Sequence, residues 1–152
     1  LSMPDALLTP RLTLPLLAAG QAQKEITHNE ALALIDGLLC PVAEAAGIDS
    51  PSPAPAAGQA WIVGPAPVGE WTGRAHQLAI ATAGGWRFAE MPVGATVLIR
   101  ASGALWRRTA DGWTAPQPVA PIVGGTTIDS ECRAAVSALI SALAARGLVA
   151  IA

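Results

Sequence analysis

Charge is what this 152-residue sequence has least of. Asp, Glu, Lys and Arg make up 13% of it, about half the usual share of roughly 25%. The formal net charge is only −2, so no strong field steers a phosphate backbone onto the surface, and nucleic acid is not an expected partner. Cysteine is scarce too. Cys40 and Cys132 stand far apart, which excludes a disulfide framework and any Cys-x-x-Cys metal spacing, and both are expected to be small buried apolar residues. Long apolar runs are missing: Pro, Gly or a charge interrupts each one before the ~20 residues that crossing a bilayer takes. No basic-then-apolar stretch opens the chain, so neither membrane insertion nor an export signal is expected. Tyrosine is absent and phenylalanine occurs once, which leaves nearly all aromatic character to tryptophan.

What the chain has is apolar bulk, 52% of its residues. One compact domain is expected from the length. A small monomer with so little charge has difficulty keeping its surface polar, so subunit contacts are expected as well. The composition separates three regions: residues 3–40, a docking segment and helix; residues 41–116, a β-meander; and residues 117–152, a loop and a C-terminal helix. The predicted fold class is α+β, with a small antiparallel meander or sandwich-like sheet between the two helices.

In the first region, Thr27 and Glu30 have the spacing of a capping box. Ala31, Leu34, Ile35 and Leu38 then recur as one apolar stripe. Gly37 weakens the last turn and Pro41 ends the helix. Val42–Ala46 reads as a short strand, and the Pro51-Ser52-Pro53-Ala54-Pro55 stretch as an extended surface loop. From there the pattern is β. Runs at 60–63, 76–81, 86–89, 96–100, 105–108 and 113–115 are separated by turns bearing glycine. Thr82-Ala83-Gly84-Gly85-Trp86 and Thr109-Ala110-Asp111-Gly112-Trp113 form a small repeat, whose glycines supply the positive φ of tight hairpins. Ser102-Gly103 makes a third turn. In the last region Asp129 is placed as an N-cap, Glu131 and Arg146 suit the two ends of the dipole, and Gly147 is the stop. Cys132, Val136, Leu139 and Leu143, widened by Ile140, have the spacing of a coiled-coil seam. Too short to hold a coiled coil unaided, the helix packs either on equivalent helices of a homo-oligomer, the expected arrangement, or back on its own sheet as a lid.

Sites for chemistry mostly fail on inspection. Glu25-x-x-His28 resembles half of a di-metal site, but the second copy and the additional glutamates are missing. Gly64-Pro65-Ala66-Pro67-Val68-Gly69 has phosphate-loop glycine spacing, yet Glu70-Trp71 follows where Lys and a hydroxyl residue are needed. No nucleophile elbow or paired carboxylates are visible. The expectation is a protein that is not an enzyme and takes no metal or other cofactor. Two polar features remain. Gln21, Gln23, Lys24, Glu25, His28, Asn29 and Glu30 are dense in hydrogen-bonding groups and read as a partner-docking anchor. Trp61, Trp71, Trp86, Trp106 and Trp113, interleaved with arginines, read first as core and cross-strand pairs. They are also the candidates for stacking on sugar rings.

Three segments carry a family resemblance. The first runs from Arg11-Leu12-Thr13-Leu14-Pro15 through Ala18 to Leu32. The second is Gly58-Gln59-Ala60-Trp61-Ile62-Val63-Gly64, with Gly69-Glu70-Trp71-Thr72-Gly73 and the Gly85-Trp86 turn behind it. The third is Gly125-Thr126-Thr127-Ile128-Asp129-Ser130-Glu131-Cys132-Arg133-Ala134. Together they resemble domain of unknown function 2793, found in alphaproteobacterial prophages and gene transfer agents. Trp61 stands where tyrosine is more usual. The resemblance implies a virion structural or adhesion protein, a component of a tail fibre or spike or an adaptor to one. It would be made in the bacterial cytoplasm and placed in a phage-like particle beside other virion proteins. Three-fold symmetry, common in fibres and spikes, makes a trimer the expected oligomer. The alternative is a carbohydrate-binding module that reads host surface polysaccharide through its tryptophans.

Overall fold

The computed structural model describes residues 7–20, 22–124 and 129–151. The chain divides into two compact units at Met91 and Pro92, inside the stretch that the sequence presents as one meander.

The first unit is built on helix α1 (Lys24–Leu38) and strands β1 (Val42–Ala43), β2 (Ala46–Ile48), β3 (Ala60–Val63), β4 (Leu78–Thr82) and β5 (Gly85–Ala89). Its sheet has the order β2-β3-β4-β5. The pairs β3–β4 and β4–β5 are antiparallel, with Trp61 opposite Ala79 and Ala81 opposite Trp86. β3 is flanked on both edges and buried at all four residues, which is why Ala60-Trp61-Ile62-Val63 is continuously apolar instead of alternating. β2 joins β3 in parallel, a pairing that the antiparallel expectation did not include. The Pro-rich loop makes it feasible by carrying the chain back between the two strands.

Strand alternation assigns two faces. One carries Trp61, Val63, Ala79 and Ala81, with Trp71 packed over them. The other carries Ile80, against which α1 packs. A Cβ added at Gly37 would lie 2.5 Å from Ile80 Cδ1, so this glycine is a close-packing point between helix and sheet. The helix itself differs from the expectation. It begins at Lys24, so Thr27 is interior and cannot cap it. The N-cap is Gln23, at φ 68° and with no side-chain cap bond. The buried residues of α1 are Asp36 and Gly37, whereas Ala31 and Ile35 of the expected stripe are exposed.

The second unit holds β6 (Thr96–Ile99), β7 (Leu105–Arg108), β8 (Trp113–Thr114), β9 (Pro118–Val119), α2 (Ser130–Ala144) and β10 (Ala150–Ile151). β6, β7 and β8 pair antiparallel in sequence order, while β9 and β10 pair in parallel. Asp129 caps α2 as its sequence position dictates, accepting the Cys132 N–H at 2.8 Å. At the other end Leu148 N–H donates to the Leu143 carbonyl and Gly147 N–H to that of Ala144. These are the paired bonds of a Schellman stop, with Gly147 at φ 69°. A Cβ at Gly147 would meet the Gly103 carbonyl at 2.3 Å, and the Gly147 carbonyl accepts from Leu105 N–H. The end of α2 is thereby fixed to the β6–β7 turn.

The repeated turns are real but not identical. Thr82 pairs with Gly85, leaving Ala83 and Gly84 as the turn, and of the two glycines only Gly85 takes a positive φ, 96°. The second turn is the four residues between paired Arg108 and Trp113. There Gly112 is buried at φ 148°, and its carbonyl accepts from Thr109 N–H, the Thr109 hydroxyl and the Arg108 guanidinium. Gly85 faces open space, so Gly85→Val loses only the backbone preference, about 1–2 kcal/mol. Gly112→Val strains a buried residue whose carbonyl carries three bonds, so the larger fall in melting temperature is expected from that variant. Equal or unchanged melting temperatures would contradict this account of the two turns.

Candidate functional site

The polar chemistry of the first unit converges on the segment before α1. Residues 7–16 fold back on themselves: Thr9 N–H donates to the Leu14 carbonyl, Leu16 N–H to that of Leu7, and Leu8 bridges Pro15. Thr13 turns this small hairpin with φ 54°. The hairpin is held by one carboxylate. Asp36, 2% exposed, accepts the Thr9 hydroxyl at 2.7 Å and Leu12 N–H at 2.6 Å on Oδ1, and Arg11 N–H at 3.0 Å on Oδ2. Thr9 Oγ1 in turn accepts from Leu14 N–H. Arg11 completes the clip from the other side. Its guanidinium donates to the carbonyls of Asp36, Gly37 and Cys40, the end of α1 where carbonyls are left without helical partners and where the dipole favours a cation.

The expected docking residues divide between this framework and the surface. Asn29 is engaged within the chain. Its amide accepts from Leu17 N–H and donates to the Leu17 carbonyl, both at 2.9 Å, the pattern one strand residue offers another. Glu30 forms an ion pair with Arg87 of β5. Glu25 receives a long bond from Gly20 N–H at 3.4 Å. Gln23, Lys24 and His28 are exposed, and Gln21 lies outside the described residues. Thus the structure brings Asn29 and Glu30 into internal work and leaves Gln23, Lys24 and His28 at the surface. Sequence reasoning missed Asp36 and Arg11 altogether. The available signal was Asp36 itself, the one charge in the apolar stretch from Ala31 to Leu39.

Between the hairpin, α1 and the β4–β5 turn lies a cavity of about 410 Å³, lined by Leu8, Leu16, Ile26, Ala33, Ala83 and the Glu30–Arg87 pair. Among the described residues no three His, Cys, Asp or Glu side chains converge as a metal site requires.

Trp61, Trp71 and Trp86 form a packed cluster instead of a platform. The rings of Trp61, Trp71 and Trp86 lie 5.1–6.4 Å apart, and Trp86 meets the other two edge-on. Trp71 is wholly buried and Trp61 is 8% exposed. Both therefore leave the set of sugar-contact candidates, because neither offers a free ring face. Trp86 is half-buried and donates from Nε1 to Glu70 at 3.2 Å. Trp106, opposite Val97, and Trp113 are half-buried in the second unit. The cation–π contact in the first unit goes to phenylalanine, with Arg74 5.0 Å from the Phe88 ring centre.

The C-terminal seam is split. Val136, Ile140 and Leu143 are half-buried, whereas Cys132 and Leu139 point to the outside. Cys40 is exposed as well, so the expectation of two buried cysteines is corrected. Cys40 sits just past the end of α1 at φ 52°, and Cys132 sits in the first turn of a helix in which no residue is buried. No described helix is long and apolar enough to cross a membrane.

Comparison with known proteins adds one assignment. The sequence profile of the family described as Protein of unknown function (DUF2793) matches residues 28–114, more than half of the chain. No curated protein matches it.

Proposed function

From the premise that this chain belongs to the DUF2793 family, we propose that it is a structural or adhesion module of a phage-like or gene-transfer-agent particle, working as part of a tail fibre or spike or as an adaptor to one. The observation that carries this reading is where the chain places its apolar and polar groups. Its most elaborate polar network, around Asp36 and Arg11, is used to hold the chain to itself. Meanwhile a whole helix, α2, has no buried residue, and Leu139, Leu148 and Ile151 are more than half exposed. Such surfaces suit a subunit whose remaining burial comes from neighbours. The three sequence segments that resemble prophage and gene-transfer-agent proteins supply the particle. Gln23, Lys24 and His28, left free at the start of α1, are the residues proposed to meet another virion protein.

The test is to induce particles in the native host, purify them on a density gradient, and probe each fraction with antibody to the chain. Co-migration with intact particles is expected. Recovery of the chain only from the particle-free fraction would overturn the reading.

A further inference from the structure

The side of α2 that faces away from its own unit has a pattern. Arg133, Val136, Ile140, Leu143 and Ala144 are half-buried on one side. Glu131, Ala135, Ala138, Leu139 and Ala142 are exposed and at 3.6 residues per turn fall in a single stripe on the opposite side, with exposed Arg146 just past the helix end at Ala144. No charged residue occurs between Arg133 and Arg146. An outward helix face normally carries charge along its length. This one carries alanine and a leucine, with an acid at one end and a base at the other.

The stripe is complementary to itself when reversed. Turned about the point midway between Ala138 and Leu139, Glu131 falls opposite Arg146, Ala135 opposite Ala142, and Ala138 opposite Leu139. Acid meets base at both ends, the one large side chain meets a small one, and alanine meets alanine. We propose that this face of α2 docks antiparallel against the same face of a second copy, across a two-fold axis at Ala138 and Leu139. In such a contact every pairing occurs twice. The alanines let the axes approach toward the lower end of the usual ~8–10 Å, and the opposed helix dipoles add to the attraction. The Glu131 carboxyl is held below its usual range by its own backbone N–H and by the Ser130 hydroxyl. A parallel three-fold bundle would instead gather Glu131 with Glu131 and Arg146 with Arg146, and would leave Ala135 and Ala142 too small to fill its axis. The charge pattern thus favours two copies over the three expected from fibre symmetry. One helix face covers less than the ~800 Å² per partner of a standard interface, so the dimer is reversible and weakened by salt. The inference stands whether or not the chain belongs to a particle.

Sedimentation of the full chain tests it. The mass is expected to rise from monomer to dimer with concentration. Glu131→Arg and Arg146→Glu should each weaken the dimer by about tenfold, and the double variant Glu131→Arg/Arg146→Glu should restore it. All of these positions are exposed, and circular dichroism confirms that each variant is folded. Orientation is read in a Cys40→Ser/Cys132→Ser background with a short bis-maleimide, which joins two thiols by addition with no oxidant needed. A mixture of Ala135→Cys and Ala142→Cys chains should cross-link, and neither alone should. A monomer at every concentration, a trimeric mass, failure of the double variant to recover, or cross-linking of Ala135→Cys with itself would each overturn the proposal.

Discussion

Asp36→Ala is expected to destabilise the first unit by about 3–5 kcal/mol, because it takes the one acceptor from three hydrogen-bond donors at once. The carboxylate accepts three bonds, and its removal strands the Thr9 hydroxyl, 3% exposed, together with two backbone N–H groups. Each stranded donor costs on the order of 1–3 kcal/mol when water cannot reach it. Arg11 does not share the loss, because its guanidinium binds main-chain carbonyls and not the carboxylate oxygens. The damage should therefore start in the hairpin of residues 7–16. Asp36→Asn keeps the shape but turns an amide N–H toward a donor, so an intermediate loss is expected. In a thermal scan the alanine variant should lower the transition by roughly 10 °C. Limited trypsin digestion should cut at Arg11, a site that the wild-type clip protects. An unchanged transition with Arg11 still protected would mean that the carboxylate does not hold the hairpin.

The contrast between Asp36 and Asp129 explains how much of this molecule could be read in advance. Asp129 caps a helix three residues away, and capping obeys a local rule, so its role was legible. The strand runs were legible for the same reason. Ala60–Val63 and Leu105–Arg108 were found to the residue, because turn glycines mark their ends. Asp36 works across 24 to 27 residues of chain, and no periodicity connects a helix position to a proline-rich lead-in. The parallel pairing of β2 with β3 escaped for a related reason, since a crossover through an irregular loop has no turn motif to announce it. Gly37 shows the reverse error. Local propensity counts it as a weakness in the helix, while packing makes it the point where α1 reaches Ile80. Within the candidate site, the polar richness around α1 was visible. Which of those side chains were already bonded inside the chain was not.

Trp71 is the second residue whose loss should be felt most. It sits in a single 3-10 turn, Gly69–Trp71, and reaches from that turn over Trp61, Val63, Ala79 and Ala81. The indole seats the turn on the sheet together with the bond that Trp86 donates to Glu70. Trp71→Ala removes a completely buried ring, and large-to-small changes of this kind cost about 3–5 kcal/mol. Collapse cannot recover much of that, because β3 and β4 beneath are fixed by their ladder. The edge-on contact with Trp86, at 5.1 Å, is lost as well, which on its own is worth roughly 0.5–1.5 kcal/mol. Trp71→Phe separates ring from polar edge. Among the described residues the Trp71 indole N–H has no hydrogen-bond partner, so phenylalanine gives up volume without giving up a bond, and less than half of the alanine penalty is expected. Trp86→Ala, at a half-buried ring, should fall between phenylalanine and wild type in a melting series. In the alanine variant of Trp71, emission from the remaining tryptophans should shift to longer wavelength as Trp61 and Trp86 become wet. If Trp71→Phe proved as damaging as Trp71→Ala, the indole N–H would have to be making a bond, and the cluster could not be held by apolar packing alone.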